Sequence, residues 1–397
     1  MPIFDCRFSI FHIGCILFYC SAPLRAQDVW TLTSADFSEQ RVAVLSIDTD
    51  GVKVRDPAGQ QRVIAWDSVL EIDRGLPRST APAGGLMLEL IGGDRIAGEP
   101  RSLVDDTLTW SASWGTESVP LARVRAITIT APADTEAPAE QDAVRLRNGD
   151  VVRGVVRSID RAGVEIAVGG EVTPLTWDSV ADVQFAQLAA ADTVPRRGFR
   201  VQLAGDTRLT VAQVSTSGDQ LQLQDGSGIR RVPLASVVAI EQINGPVMWL
   251  SALKPVEAVY EPYFAQVQLP PRENRTLSGL PIKLGDKVAR AGLSAAARTR
   301  WVYDLPPGYA AFRTMFSIDG NLPYANCVVR IKLDDRVAFE RENVTASMPP
   351  QLVMLPLGGA SKLAIEVDYG KSLDVQDRVN FFEPALLRQL PPARNPD

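Results

Sequence analysis

The chain has 397 residues, of which 46% are hydrophobic and 22% charged, with a formal net charge of −6. Its one histidine, His12, and three of its four cysteines, Cys6, Cys15 and Cys20, all lie in the first twenty residues. Beyond that segment there is no histidine and one cysteine, Cys327. This excludes a Ser-His-Asp or Cys-His catalytic unit, a histidine-ligated zinc, haem or copper site and an intrachain disulfide.

The first 26 residues read as an export signal. Arg7 stands in a short charged start, and an apolar run follows over residues 8–19. That run is shorter than the ~20 residues a membrane-spanning helix needs. Small and apolar residues then lead to Ala26, as at a cleavage site. Cleavage after Ala26 is expected, giving an exported protein that is periplasmic, cell-surface or extracellular. No later run is long and apolar enough to cross a membrane as a helix. Removing the signal leaves the chain more acidic, which argues against nucleic acid, whose phosphates need a basic surface.

Two markers then repeat together. Trp66-Asp67-Ser68-Val69, Leu121-Ala122-Arg123-Val124, Trp177-Asp178-Ser179-Val180 and Leu234-Ala235-Ser236-Val237 share one frame, with lead positions 55, 56 and 57 residues apart. Upstream, Gly93-Asp94, Gly149-Asp150 and Gly205-Asp206 keep the same period, and Ala35-Asp36 stands in that place in the first copy. Repeats at this scale decide the architecture before anything else. Between the markers, runs such as Val164-Glu165-Ile166-Ala167-Val168 alternate apolar and polar residues, the pattern of a half-buried strand.

Each copy therefore reads as about five short strands in roughly 45 residues, a size at which one core is marginal. Neighbouring copies are expected to pack together. The reading is all-β, with four tandem small β-barrel-like repeats of period about 56, at 27–74, 86–130, 143–186 and 198–243. The pattern L-x-x-G-D-x-x-x-G early and V-x-x-I late resembles SH3-like or Sm-like barrels. Spacers over 74–85, 130–142 and 186–198 are rich in Pro, Gly or Ala and acids, and read as linkers. The Gly-Asp pairs are read as turns, because each copy offers too few oxygens for calcium. Trp66 and Trp177 alternate with Leu121 and Leu234, which marks a core position. Trp110 and Trp114 lie four apart on a strand and share a face; core packing and stacking on a sugar ring or partner both fit.

From 247 the period is lost. Strand patterns at 300–305, 309–319, 328–333, 351–357 and 363–368 are separated by turns, which predicts a β-sandwich over 247–390. Cys327 beside a strand reads as a buried apolar residue. Trp301 and Tyr303 read as core.

Here the sequence resembles the NPCBM module, a carbohydrate-binding β-sandwich of galactose-binding-like jelly-roll type often attached to glycoside hydrolases. The resemblance covers about residues 248–388. It rests on the opening Leu250-Ser251-Ala252-Leu253, the Gly292-Leu293 step, the Tyr303-Asp304-Leu305 strand, the Tyr309/Phe312 pair and the Asp319-Gly320 turn, in order. It implies a jelly roll with a sugar site in the loops at one edge. Two stretches depart from the family. Gly292-Leu293-Ser294-Ala295-Ala296 stands for its Gly-Leu-Gly-Thr-His, and Asp377-Arg378-Val379-Asn380-Phe381 for its Asp-His-x-Asp-Trp.

Candidate ligand-binding residues are Asp319, Asn321, Tyr324, Asn326, Asp377, Arg378 and Asn380. Asp, Asn and Arg can bond vicinal hydroxyls in pairs, and an aromatic face suits a sugar ring. Asp319-Gly320-Asn321 is also good turn chemistry. No catalytic residue, metal or cofactor is assigned.

The functional expectation is an exported, non-catalytic carbohydrate-binding protein. The repeats act as spacer or scaffold, and a glycan or polysaccharide is the partner. The alternative is an envelope assembly protein that binds other envelope proteins; a third is an accessory protein to a glycoside hydrolase. A glycosidase itself needs only two carboxylates, but about 215 residues of repeats leave no room for a catalytic barrel of about 250 residues.

Overall fold

The computed structural model describes residues 29–76, 85–129, 141–186, 197–226, 228–263, 268–371 and 373–389. The first 28 residues, read above as containing an export signal and holding His12, Cys6, Cys15 and Cys20, and most of the three spacers, lie outside them. The described residues are all-β, with single 3-10 turns as the helical pieces. Among them no helix is long and apolar enough to cross a membrane.

The strands up to Ile243 fall into four groups of like build. In the first, Val29–Ser34, Glu39–Ile47, Gly51–Arg55, Gln61–Ala65 and Val69–Asp73 follow one another, with a 3-10 turn at Trp66–Ser68 before the last. The first strand pairs with the second and the fifth, and the third with the second and fourth. The order across each group is thus fifth, first, second, third, fourth. The long second strand bends at a bulge, at Val44/Ser46, Pro100/Ser102 and Val156/Ser158. In the fourth group it is split in two at Ala212. Alternation buries one row per strand, such as Val52 and Val54 or Val164 and Ile166, in a common core that Trp66 and Trp110 fill.

The barrel-like groups are open. Among the described residues no ladder joins a fourth strand to a fifth. The reason is that the outer edge of each fifth strand is already taken by another group. Val69–Asp73 pairs with Val237–Ile243, and Val124–Thr128 with Val180–Gln184. Both pairings are self-matched. Ile72 faces Ile240 and Ile127 faces Val183, each six residues after its marker Trp or Leu, and the flanking residues cross over symmetrically. The fourth group then meets the second at Arg208 and Arg95. The groups therefore stand side by side in the order first, fourth, second, third. One ladder of twelve strands runs from Glu39–Ile47 to Val151–Ile159.

The last strand of this sheet leads into Val247–Trp249, the first strand of a two-sheet sandwich. One sheet holds Arg272–Glu273, Gly292–Ala296, Arg378–Leu387, Ala311–Ile318 and Gln351–Pro356 in that order, with Val247–Trp249 also on Arg378–Leu387. The other holds Glu257–Tyr260, Thr299–Asp304, Lys362–Tyr369, Cys327–Leu333 and Arg336–Val344. Trp301, Tyr303, Phe312, Phe316 and Phe381 fill the space between them, and Cys327 is buried there. Burial pushes the Cys327 thiol pKa up, so it stays an inert apolar residue.

The sandwich is seated on the first group. Leu70, Val247, Ala385 and Leu387 form a small shared core with Phe37 and Trp249. The Arg313 guanidinium lies 3.8 Å over the Phe37 ring. Arg290 of the sandwich pairs with Glu71 of the first group and, at 3.0 Å, with Glu383. A concavity of about 690 Å³ remains in this seam, lined by Thr31, Gln202, Glu241 and Lys287 among others.

Candidate functional site

The seven candidate residues gather at one end of the sandwich, where Ala311–Ile318 leaves its sheet, Cys327–Leu333 begins, and Arg378–Leu387 begins. Asp319 is fixed from two sides. Its N–H donates to the Arg378 carbonyl (2.8 Å), and its Oδ1 accepts from the Asn380 amide (2.9 Å). The Asn326 N–H donates to Asp377 Oδ1 (2.7 Å), and Asn326 Oδ1 accepts the Lys371 N–H (3.0 Å). Asn321 and Tyr324 are exposed, Tyr324 to 66%. Asp377 and Asn380 are 1% and 3% exposed. The set thus divides into a buried floor, Asp377 and Asn380, the half-buried Asp319, Asn326 and Arg378, and an exposed rim, Asn321 and Tyr324.

The loop over 373–377 organises this end. Asp374 Oδ2 accepts the Tyr263 N–H (3.0 Å), and Gln376 Oε1 accepts the Tyr324 N–H (3.0 Å). Asp377 holds Asn326 through its side chain and Ala297 through its carbonyl (3.0 Å). The side chains of Asp374, Gln376 and Asp377 thereby tie down two distant segments, at 263 and 324–326, and the Asp377 carbonyl a third at 297, as short polar loop residues do when they replace regular ladders. Leu373 and Gln376 take the left-handed conformation the loop requires. Burial, with Asp374 nearby, raises the Asp377 pKa from 3.8 to about 6, against the lowering effect of backbone donors.

The register adds what motif reading could not see. Ala296 and Arg378, where the resembling family carries histidine, are direct cross-strand partners, as are Ser294 and Asn380. Arg378 Nε, Asn380 Oδ1, Asp377 Oδ2 and Ser294 Oγ are buried with no protein hydrogen-bond partner. Buried polar atoms are nearly always satisfied, so each of these atoms needs a partner from solvent or a ligand. Ser294 was not a sequence candidate, because nothing but the ladder register brings it to Asn380.

Tyr263 was also missed. It is exposed beside the same loop, with its ring edge-on to Tyr369 at 6.0 Å, while the Tyr369 hydroxyl donates to the Glu261 carbonyl (2.8 Å). Exposed tyrosines thus flank the loop on both sides, Tyr263 on one and Tyr324 on the other. Of the aromatic residues weighed from sequence, Trp66, Trp110, Trp301 and Tyr303 are buried in cores. Trp114 is half-buried and donates to Glu117 (2.8 Å). Trp177 is half-buried against the same core. Among the described residues no group of three or more His, Cys, Asp or Glu could hold a metal ion.

Comparison with known proteins bears on this module. No curated protein matches the chain. Among solved structures it is similar to the CBM51 of a Clostridium perfringens GH95 protein in complex with methyl-galactose. That likeness has 20% identity and TM-score 0.32, over 35% of this chain and 99% of that one. It is similar to CBM51-2 in complex with GlcNAc and INT domains of Clostridium perfringens ZmpB, at 16% identity and TM-score 0.33, over 44% and 37%. It is similar to the tandem CBM51 modules of Sp3GH98, the family 98 glycoside hydrolase of Streptococcus pneumoniae, at 11% identity and TM-score 0.31, over 90% and 87%. The family model that matches is that of the NPCBM/NEW2 domain, over residues 247–387. The C-terminal sandwich of this chain is thus an NPCBM/NEW2 domain.

Proposed function

We propose that the protein is an exported, non-catalytic carbohydrate-binding protein whose NPCBM/NEW2 sandwich takes a saccharide at the end built around the 373–377 loop. The repeats serve as its scaffold. The observation that carries this reading is the set of buried, unpartnered polar atoms on Ser294, Asp377, Arg378 and Asn380 at the end of the sandwich that also carries exposed Asn321 and Tyr324, inside a domain of this family. Sugar hydroxyls donate and accept at once, so they suit a mixed set of carboxylate, amide and guanidinium atoms. Tyr324 and Tyr263 offer ring faces at the margins.

Retention of the full chain on a glycan array, followed by titration of the best binder, tests it. Arg378→Met and Tyr324→Ala are each expected to weaken binding about tenfold or more, with melting temperatures close to the parent's, because Tyr324 is exposed and Met keeps the apolar stem of the half-buried Arg378. Absence of retention on every glycan would sink the reading. Export is checked separately, by recovering the protein outside the cytoplasm with Gln27 at its N-terminus.

A further inference from the structure

The contact between the fourth and second groups joins the same position of each. Arg95 opposes Glu89 and Arg208 opposes Gln202 in equivalent ladders, and 95 and 208 bridge to each other. The crossing is well knit. The Thr210 N–H donates to Asp94 Oδ2 (3.0 Å), the Ala97 N–H to Thr207 Oγ1 (3.0 Å), and Arg95 Nη1 to Asp206 Oδ2 (2.6 Å). The Gly-Asp turns of these two copies are therefore a clasp as well as hairpin closures.

The same position recurs at both ends of the twelve-strand ladder. In the first group it is Glu39, which Lys287 of the sandwich holds at 2.7 Å. In the third it is Val151, opposite Arg145 and 47% exposed. Residues 151–154 pair with Asp142–Leu146 on one side and, among the described residues, have no ladder on the other. Val155 on the same strand is exposed too. An unpaired edge bearing apolar side chains is a template for another strand, and proteins leave one open at a cost unless it is used.

We propose that this edge of the third group docks, antiparallel and two-fold symmetric, against the same edge of a second copy of the chain. Val151 then faces Val151 across the axis, as Arg208 faces Arg95 within the chain. The internal contact can carry arginine because its two sides differ, so each charge finds its own partner. A true two-fold would set like charges against each other, and valine avoids that. Asp150 stands where Asp94 does, placed to accept the second copy's Arg153 N–H.

Sedimentation velocity of the full mature chain over a wide concentration range is expected to show a dimer. Val151→Lys is expected to raise its dissociation constant about tenfold or more. Val172→Lys, at an equally exposed valine of the same group, is expected to leave it unchanged. Val151→Cys tests the axis directly: a mild oxidant is expected to give a disulfide-linked dimer, and Val172→Cys none. Cys327 is buried and stays silent in this assay. A monomer at every concentration, equal weakening by Val172→Lys, or absence of the Val151→Cys crosslink would each overturn the proposal.

Discussion

Asp377 lies nearly out of contact with solvent, yet it carries a carboxyl group. With its pKa raised from 3.8 to about 6, the folded protein binds a proton there that the unfolded chain has released. The sign follows: the acid's contribution is fully present below about pH 4 and is lost as pH rises through about 6. A shift of about two units corresponds to about 3 kcal/mol. Asp377→Asn keeps an acceptor for the Asn326 N–H and removes that dependence. It is expected to melt like the parent at pH 4 and above it at pH 7.5, as thermal melts across that range would show. Gly370 is a second sensitive residue at this end of the sandwich. A Cβ there would lie 1.8 Å from the Asn326 carbonyl oxygen. Gly370→Ala is therefore expected to cost about 2 kcal/mol or more and to lower glycan affinity, because the Asn326 segment must move. Chemical denaturation and array retention read the two effects.

At the level of the element, the seam between the sandwich and the first group depends on Arg290, which serves Glu71 and Glu383 together. Burial opposes its charge, but the two carboxylates raise its pKa overall. Arg290→Met leaves two acids facing each other in a partly buried place. It is expected to destabilise the fold by about 3 kcal/mol, and Glu71→Gln in the same chain to recover part of that. Denaturant titration of the single and double variants decides it. Many of the strands were legible in the sequence, since period-two alternation and the Gly-Asp turns marked them, but Glu257–Tyr260, Gly292–Ala296 and Arg336–Val344 of the sandwich were not. Which strand pairs with which was not legible. Ile72, Ile127, Val183 and Ile240 occupy one position of a common frame, and nothing local tells Ile72 to choose Ile240. That the barrel-like groups stay open was not legible either, because the edge each fourth strand would use belongs to another group. In the sandwich, the candidates flagged by motif do converge. Ser294 and Tyr263 escaped notice because the first needs the ladder register and the second a loop contact.

For the molecule as a whole, the groups are parts of one sheet more than beads on a string. Residues 27–74 alone lack the strand that covers Val69–Asp73, and a core of that size is marginal without neighbours. That fragment is expected to be largely unfolded by circular dichroism, while the full chain melts cooperatively. Pairing the first group with the fourth also has a consequence in time. Emerging from the ribosome, Val69–Asp73 must wait for some 160 further residues before Val237–Ile243 exists to meet it. Long-range closures of this kind fold slowly and leave edges open meanwhile. The N-terminal unit is thus made first and completed last, so its open edge is where a chaperone would be needed.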